Sequence, residues 1–129
     1  MRKLDSLEQS IVNENSYSEM FLHYQSYLNG GYIVTAKRYL ELIEWKLLRD
    51  SSDYQIMCKF YKETKDLNNL ADVNQRLILI QQMLICVVNI KNSKLGSEKE
   101  EYVKNIFDVV EEYEEIVTFR KSVMENIPK

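Results

Sequence analysis

The sequence predicts a single all-α domain, a bundle of five to six helices, and three observations carry that prediction. Apolar residues recur at intervals of three and four positions rather than two, which is the period of an amphipathic helix. The chain contains only 3 Gly and 1 Pro, too few for a turn-rich β architecture or a disordered chain. Its 129 residues, 45% of them hydrophobic, suffice for one core. We therefore expect residues 1–129 to form one domain.

Two short helices open the chain. Apolar spacing over residues 4–12 predicts the first, and Ser16 with Glu19 forms a capping box that starts the second. The second helix continues to Leu28, where Asn29, Gly30 and Gly31 supply residues that tolerate a positive φ and end it. So short a connection favours an antiparallel hairpin with the next helix.

Two further helices are predicted in the middle of the chain. The first spans about residues 32–49 and has one apolar stripe, Ile33, Ala36, Leu40, Ile43 and Leu47. The run Ser51-Ser52-Asp53 resembles an N-cap and predicts that a separate helix starts there and fades near residues 65–66.

The most hydrophobic segment is predicted as a helix over about residues 69–91. Between residues 77 and 90 it is apolar on nearly every side, so we expect it to be buried at the centre of the bundle. Its β-branched residues leave a short strand over 84–90 as an alternative. Residues 92–97 are expected to be an internal linker, followed by a long C-terminal helix over about residues 98–126.

The charge and cysteine content narrow the function classes. The net charge is −3, with a mildly basic middle and an acidic C-terminal part, far from the basic stripe of a typical DNA-binding domain. Cys58 and Cys86 lie in apolar helical runs and form no disulfide framework of the secreted type.

The start of the chain lacks the apolar core of a signal peptide, and the longest apolar stretch is interrupted by amides, so we expect a cytoplasmic protein without a membrane span. Abundant Asn, Lys, Ile and Tyr indicate AT-rich coding, as in a low-GC bacterium, a phage or a mobile element.

The sequence contains no recognisable catalytic or metal-binding constellation. His23 is the only histidine, so a di-iron bundle, which needs two Glu-x-x-His pairs, is excluded. There is no Ca²⁺ loop, no zinc-ligand spacing and no glycine-rich phosphate loop. We therefore expect neither enzymatic activity nor a cofactor.

One candidate partner-binding face lies on the helix predicted over residues 32–49. Opposite the core stripe, helical spacing groups Arg38, Leu42, Trp45 and Arg49. Trp and Arg are the residue types most enriched at interface hot spots. The alternative is that another helix of the same chain covers this face and the arginines extend past it to water.

Two charged faces are the other candidates. Glu111, Glu112 and Glu115 form an acidic face that could bind a basic partner or simply be solvated. Lys59, Lys62 and Lys65 form a basic ridge beside Tyr61, which could hold single-stranded nucleic acid, although Glu63 and Asp66 interrupt it.

The function that the sequence favours is therefore binding to another protein. We expect a small non-enzymatic regulator, inhibitor or assembly subunit, and this class is compatible with a homodimer. The alternative is a nucleic-acid-associated helical subunit that uses the basic region 37–65.

Overall fold

The computed structural model describes residues 4–92 and 106–119, and these residues form five helices and no strand. They are α1 (Ser6–Glu14), α2 (Tyr17–Asn29), α3 (Ile33–Glu63), α4 (Leu67–Asn92) and α5, which covers residues 106–119. The predicted all-α class is confirmed. The alternative prediction of a short strand over residues 84–90 is wrong, because those residues continue α4.

The ends of the first helices follow from local side-chain chemistry. The Ser16 hydroxyl accepts the backbone N–H of Glu19, and the Glu19 carboxylate accepts the N–H of Ser16, so the predicted capping box is confirmed. Asp5 and Glu8 form a second box at the start of α1. Gly31 adopts a φ of +83°, a left-handed conformation that glycine enters without strain, and this turn sends α3 back along α2.

The predicted break at residues 51–53 is wrong, since α3 is one helix of 31 residues. A capping residue begins a helix only where the preceding backbone leaves helical geometry, and no Gly or Pro lies between Tyr32 and Asp66 to cause that. Ser51 is instead buried inside α3 and accepts a hydrogen bond from the Gln55 amide at 3.3 Å. The turn at residues 64–66 follows, with Lys65 at φ +60° and the Asp66 carboxylate capping α4.

The predicted central position of α4 is also wrong. It is α3 that packs against α1, α2 and α4, and α3 also meets α5 where the Tyr54 and Tyr113 hydroxyls lie 2.7 Å apart. Only one side of α4 is buried, by Val73, Leu79, Ile80, Met83, Val87 and Ile90. The sequence of α4 is therefore apolar on nearly every side, but the helix is buried on only one side.

α1 ends and α2 begins level with the middle of α3, so the α3–α4 hairpin extends beyond them. The Arg49 guanidinium donates to the Asn13 side chain at the end of α1, and the Tyr17 hydroxyl at the start of α2 donates to Asp50. Beyond that level, no residue from 52 through 72 is buried. We call residues 52–72 the hairpin tip.

The C-terminal segment was predicted as a helix over residues 98–126. Its described part, residues 106–119, is helical and packs Ile106, Val110 and Tyr113 into the core. The Phe107 ring contacts Phe21 and the Tyr113 ring contacts Tyr17, so α5 runs antiparallel to α2. Residue 92 is the last of α4; the rest of the predicted 92–97 linker and the ends of the predicted long helix lie outside the described residues.

Candidate interaction surfaces

The first half of the predicted Trp45 face is covered by α1 of the same chain. Leu42 is only 1% exposed. The Arg38 guanidinium forms an ion pair with Glu8 of α1 and a second with Glu41 at 2.5 Å. Neither Arg38 nor Leu42 is available to a partner in this arrangement, so intramolecular packing accounts for both.

The second half of that face is partly open. Trp45 and Arg49 are both half-buried, and the Arg49 guanidinium carbon lies 5.4 Å from the centre of the Trp45 ring, a cation–π distance. Arg49 also binds Asn13 at 2.8 Å. These contacts hold the two side chains at the point where α1 ends.

Past the end of α1 the same face of α3 continues as exposed apolar surface. Ile56 and Phe60 follow Arg49 by seven and eleven positions, which places them within about 20° of it around the helix. Ile56 is 66% exposed, Phe60 58% and Met57 38%. We call these three residues the α3 tip surface, and it is flanked on the same side by the exposed carboxylates of Asp53 and Glu63.

A second exposed apolar surface runs along α4 on the side away from α3. Its members alternate in steps of four and three residues, and every one is exposed. We call this row the α4 outer seam: Leu67, Ala71, Asn74, Ile78, Gln81, Ile85, Val88 and Asn92. None of the eight is ionisable. Ile85 is 61% exposed and Ile78 47%, so α4 presents an uncharged, partly apolar face along its whole length.

Among the described residues, α4 is the one helix long and apolar enough to cross a membrane, but only 33% of its most apolar window is buried in the protein. Length and composition of this kind also occur in core helices of soluble proteins. α4 lies along α3, which carries exposed charges such as Lys59 and Lys62 beside the start of α4. A bilayer would have to desolvate those charges, so a membrane span is not indicated.

The predicted acidic residues all lie on the outer side of α5. Glu111, Glu112 and Glu115 are exposed. Glu111 and Glu115 line an open groove of about 720 Å³ between α5 and the start of α2. Glu114 has a structural role, because its carboxylate accepts the backbone N–H of Ser18 at 3.0 Å and so places negative charge at the N-terminus of α2.

The predicted basic ridge lies at the end of α3. Lys59, Lys62 and Lys65 are exposed and Tyr61 is half-buried, with its ring 5.5 Å from that of Phe60. Glu63, also exposed, lies between them, as the sequence indicated. The ridge is thus a mixed-charge surface of three lysines and at least one carboxylate.

A cluster of polar side chains lies where α2, α3, α4 and α5 meet. Burial and the neighbouring Asp50 carboxylate raise the pKa of Tyr17, and burial with the Tyr54 hydrogen bond raises that of Tyr113. Burial also lowers the pKa of Lys46, whose ammonium lies 4.8 Å from the Tyr17 ring centre and donates to the Asn15 carbonyl. These groups are paired with one another, so they connect helices and offer no free nucleophile or base.

Other reactive side chains are not assembled into a site. His23 is exposed, 5.7 Å from the Tyr39 ring, and Cys58 and Cys86 are free thiols on different helices. Burial raises the pKa of Cys86, which disfavours its thiolate. Within the described ranges, no three His, Cys, Asp or Glu side chains are grouped so as to hold a metal ion.

Comparison with known proteins gives no relative: no family model, no curated protein and no solved structure matches the chain.

The α3 tip surface and the α4 outer seam were both missed at the sequence level. The first was missed because the predicted break at residue 51 separated Ile56 and Phe60 from the Trp45 face they continue. The second was missed because the whole segment over residues 77–90, apolar on nearly every side, was predicted to be buried at the centre. A signal for the seam was present: a second row of apolar and amide residues with alternating steps of three and four, opposite the core row.

Proposed function

We propose that this chain is a small non-enzymatic protein that acts by binding another protein through the α3 tip surface. The observation that carries the proposal is the exposure of Ile56, Met57 and Phe60 on a hairpin that extends beyond α1 and α2. Exposed apolar clusters on a monomer commonly mark interaction sites. A regulator, an inhibitor or an assembly subunit would each work in this way.

The charges around the α3 tip surface indicate the chemistry of the partner. Asp53 and Glu63 flank the apolar residues together with Lys59 and Arg49, so the surface favours a partner whose own apolar patch has charges of both signs at its rim. These two cations and two carboxylates balance, so the surface has no net attraction for phosphate groups, which disfavours nucleic acid and anionic lipid at this face. Trp45 and Arg49 adjoin the surface and extend it. The acidic face of Glu111, Glu112 and Glu115 is a second place where a basic partner could bind.

Capture of partners from the native host, with wild-type and variant chains compared, tests the proposal. Phe60→Ser and Ile56→Glu should each abolish capture, since truncating a hot-spot residue commonly costs 2 kcal/mol or more, roughly a thirtyfold loss of affinity. Leu22→Ser is the matched control, because Leu22 is 55% exposed on α2, away from the tip. Recovery of the same partner with Phe60→Ser would contradict the proposal.

The nucleic-acid alternative gives a different result in a binding assay. It predicts retention on single- or double-stranded nucleic acid at low salt, a steep loss as salt rises, and weakening by Lys59→Glu or Lys62→Glu. Phe60→Ser would leave that binding mostly intact if phosphate contacts dominated it. Retention with this pattern would favour the lysine ridge over the α3 tip surface.

A further inference from the structure

We propose that the α4 outer seam binds a second copy of this chain, with the two α4 helices parallel and in register. This inference is independent of the α3 tip surface. Ile56 and Phe60 lie about 120° to 160° around α3 from Glu44 and Tyr54, the α3 residues that contact α4. The tip surface and the seam therefore lie on opposite sides of the hairpin.

The spacing of the seam is that of a coiled-coil interface. Steps of four and three residues repeat from Leu67 to Asn92 without interruption, and a helix with this 3.5-residue period keeps one seam against a partner helix. The 26 residues of α4 correspond to about 39 Å, nearly four heptads. Inside the molecule, the buried residues of α4 lie on the opposite row, from Val73 to Ile90.

The residue types favour two parallel strands. In heptad notation the a positions are Ala71, Ile78, Ile85 and Asn92, and the d positions are Leu67, Asn74, Gln81 and Val88. β-branched residues at a with leucine at d favour two-stranded parallel pairing, and the seam has Ile78 and Ile85 at the two central a positions and Leu67 at a d position.

The order of polar and apolar layers favours a copy of the same sequence in register. Parallel in-register pairing places Ile78 against Ile78 and Ile85 against Ile85, while Asn74 and Gln81 each meet their own equivalent. A side-chain amide both donates and accepts, so two identical amides can pair across a two-fold axis. An antiparallel alignment of the helix ends would place Asn74 against Ile85 and Gln81 against Ile78, leaving buried amides unpaired.

The residues beside the seam are also uncharged. One flank is a row of amides at seven-residue spacing, Asn68, Gln75, Gln82 and Asn89. The other flank contains the half-buried leucines Leu70, Leu77 and Leu84, which widen the apolar strip. The charged residues of α4 before Lys91 are Asp72 and Arg76, and they pair with each other at 3.3 Å. A surface without charge offers little to a highly charged partner, and identical copies meet on it without like-charge repulsion.

Light scattering on the full chain, up to roughly 100 µM, tests self-association. Wild type should have the mass of a dimer, and Ile85→Glu should have the mass of a monomer. Ile56→Glu is the matched control, because Ile56 (66% exposed) and Ile85 (61%) are the same residue type on opposite sides of the hairpin. Gln81→Lys is a second seam variant that removes no apolar side chain and should also give a monomer.

The orientation is tested by a crosslink in a Cys58→Ser, Cys86→Ser background. Leu67→Cys lies at one end of the seam, so a disulfide between two such chains forms only if the helices are parallel and in register. A dimer that instead crosslinks Leu67→Cys chains to Asn92→Cys chains would overturn the parallel orientation. A wild-type monomer at the highest concentration, or a dimer that Ile56→Glu abolishes and Ile85→Glu does not, would overturn the use of the seam.

The experiments can contradict partner binding at the α3 tip surface without contradicting the α4 dimer, and the reverse. Loss of partner capture in Ile56→Glu with dimer mass retained supports both surfaces. A monomeric wild type whose capture still depends on Phe60 would overturn the dimer alone. A dimer that depends on Ile85, with no partner lost in Phe60→Ser, would overturn the proposed function alone.

Discussion

At the scale of single residues, the environment of a leucine on α3 depends on where α1 lies. Leu42 and Leu48 are on the same helix, yet α1 covers Leu42, which is 1% exposed, and leaves Leu48 37% exposed. Helical spacing alone gives the opposite expectation, because Leu42 lies farther than Leu48 around the helix from the core stripe of Ile33, Ala36, Leu40, Ile43 and Leu47. The difference is produced by tertiary packing alone.

This contrast predicts unequal effects of the same substitution. Leu42→Ala should lower the free energy of unfolding by about 3 kcal/mol, because it removes buried methyl groups and leaves a cavity. Leu48→Ala should lower it by less than about 1 kcal/mol, because that side chain is partly in water already. Denaturant unfolding of the two variants measures both values. A loss for Leu42→Ala as small as that expected for Leu48→Ala would show that Leu42 is not covered in solution.

Arg38 illustrates which part of the Trp45 face could be predicted. Helical spacing correctly grouped Arg38, Leu42, Trp45 and Arg49 on one face, since period alone determines that. Whether α1 or a partner covers the face depends on Glu8 and Asn13, which are far away in sequence and were not identified as its contacts. The grouping was therefore predictable and the covering helix was not.

At the scale of helices, start and stop signals were predicted best where two signals coincided. The Ser16–Glu19 box and the Gly30-Gly31 turn each combine a cap with a change in apolar pattern, and both are confirmed. The Ser51-Ser52-Asp53 run had a cap but no breaker before it, and α3 continues through it. A cap motif alone is therefore a weak boundary.

The burial of α4 was overestimated for a physical reason. Composition shows how apolar a helix is on average, but the number of neighbours determines how many sides are buried. With α3 as the central helix, α4 has one buried side, and its remaining isoleucines are exposed. The excess apolar surface then calls for another explanation, which the proposed dimer supplies.

The hairpin tip should also differ from the rest of α3 in local stability. Residues 40–47 of α3 include Leu40, Leu42, Ile43 and Leu47, all buried, whereas no residue of 52–63 is buried. Backbone amides of residues 53–62 should therefore exchange with solvent at least roughly tenfold faster than those of 40–47. Amide exchange read by mass spectrometry measures this. The same contrast is expected in the Ile85→Glu monomer, and uniform protection along α3 would contradict an uncovered tip.

At the scale of the whole molecule, one polar cluster connects four helices. Tyr17 of α2 binds Asp50 of α3 at 2.5 Å, Tyr54 of α3 lies 2.7 Å from Tyr113 of α5, and Arg76 of α4 interacts with Tyr54. The cluster lies at the level where α1 ends, α2 begins and the hairpin tip begins. Its protonation state should therefore affect the stability of the entire bundle.

The raised pKa values of Tyr17 and Tyr113 predict the direction of that effect. The folded protein holds both phenolic protons more tightly than the unfolded chain does, so stability is fully present below the ordinary tyrosine pKa of about 10 and falls above it. Each of the two tyrosines should contribute a loss that rises toward about 1.4 kcal/mol per pH unit as the pH increases above 10. Lys46 acts in the opposite direction, because its lowered pKa makes stability rise with pH, but only up to the ordinary lysine value of about 10.5.

Denaturant unfolding at a series of pH values up to about 11 measures this loss. Tyr17→Phe removes one of the two titrating hydroxyls, so its stability should fall less steeply above pH 10 than that of wild type, even though the lost hydrogen bond to Asp50 lowers its stability at neutral pH. Tyr32→Phe is the matched control, since that ring is 65% exposed and removal of its hydroxyl should leave the wild-type profile. If Tyr17→Phe and wild type lost stability in parallel above pH 10, the Tyr17–Asp50 contact would not be the pH-sensitive connection between α2 and α3.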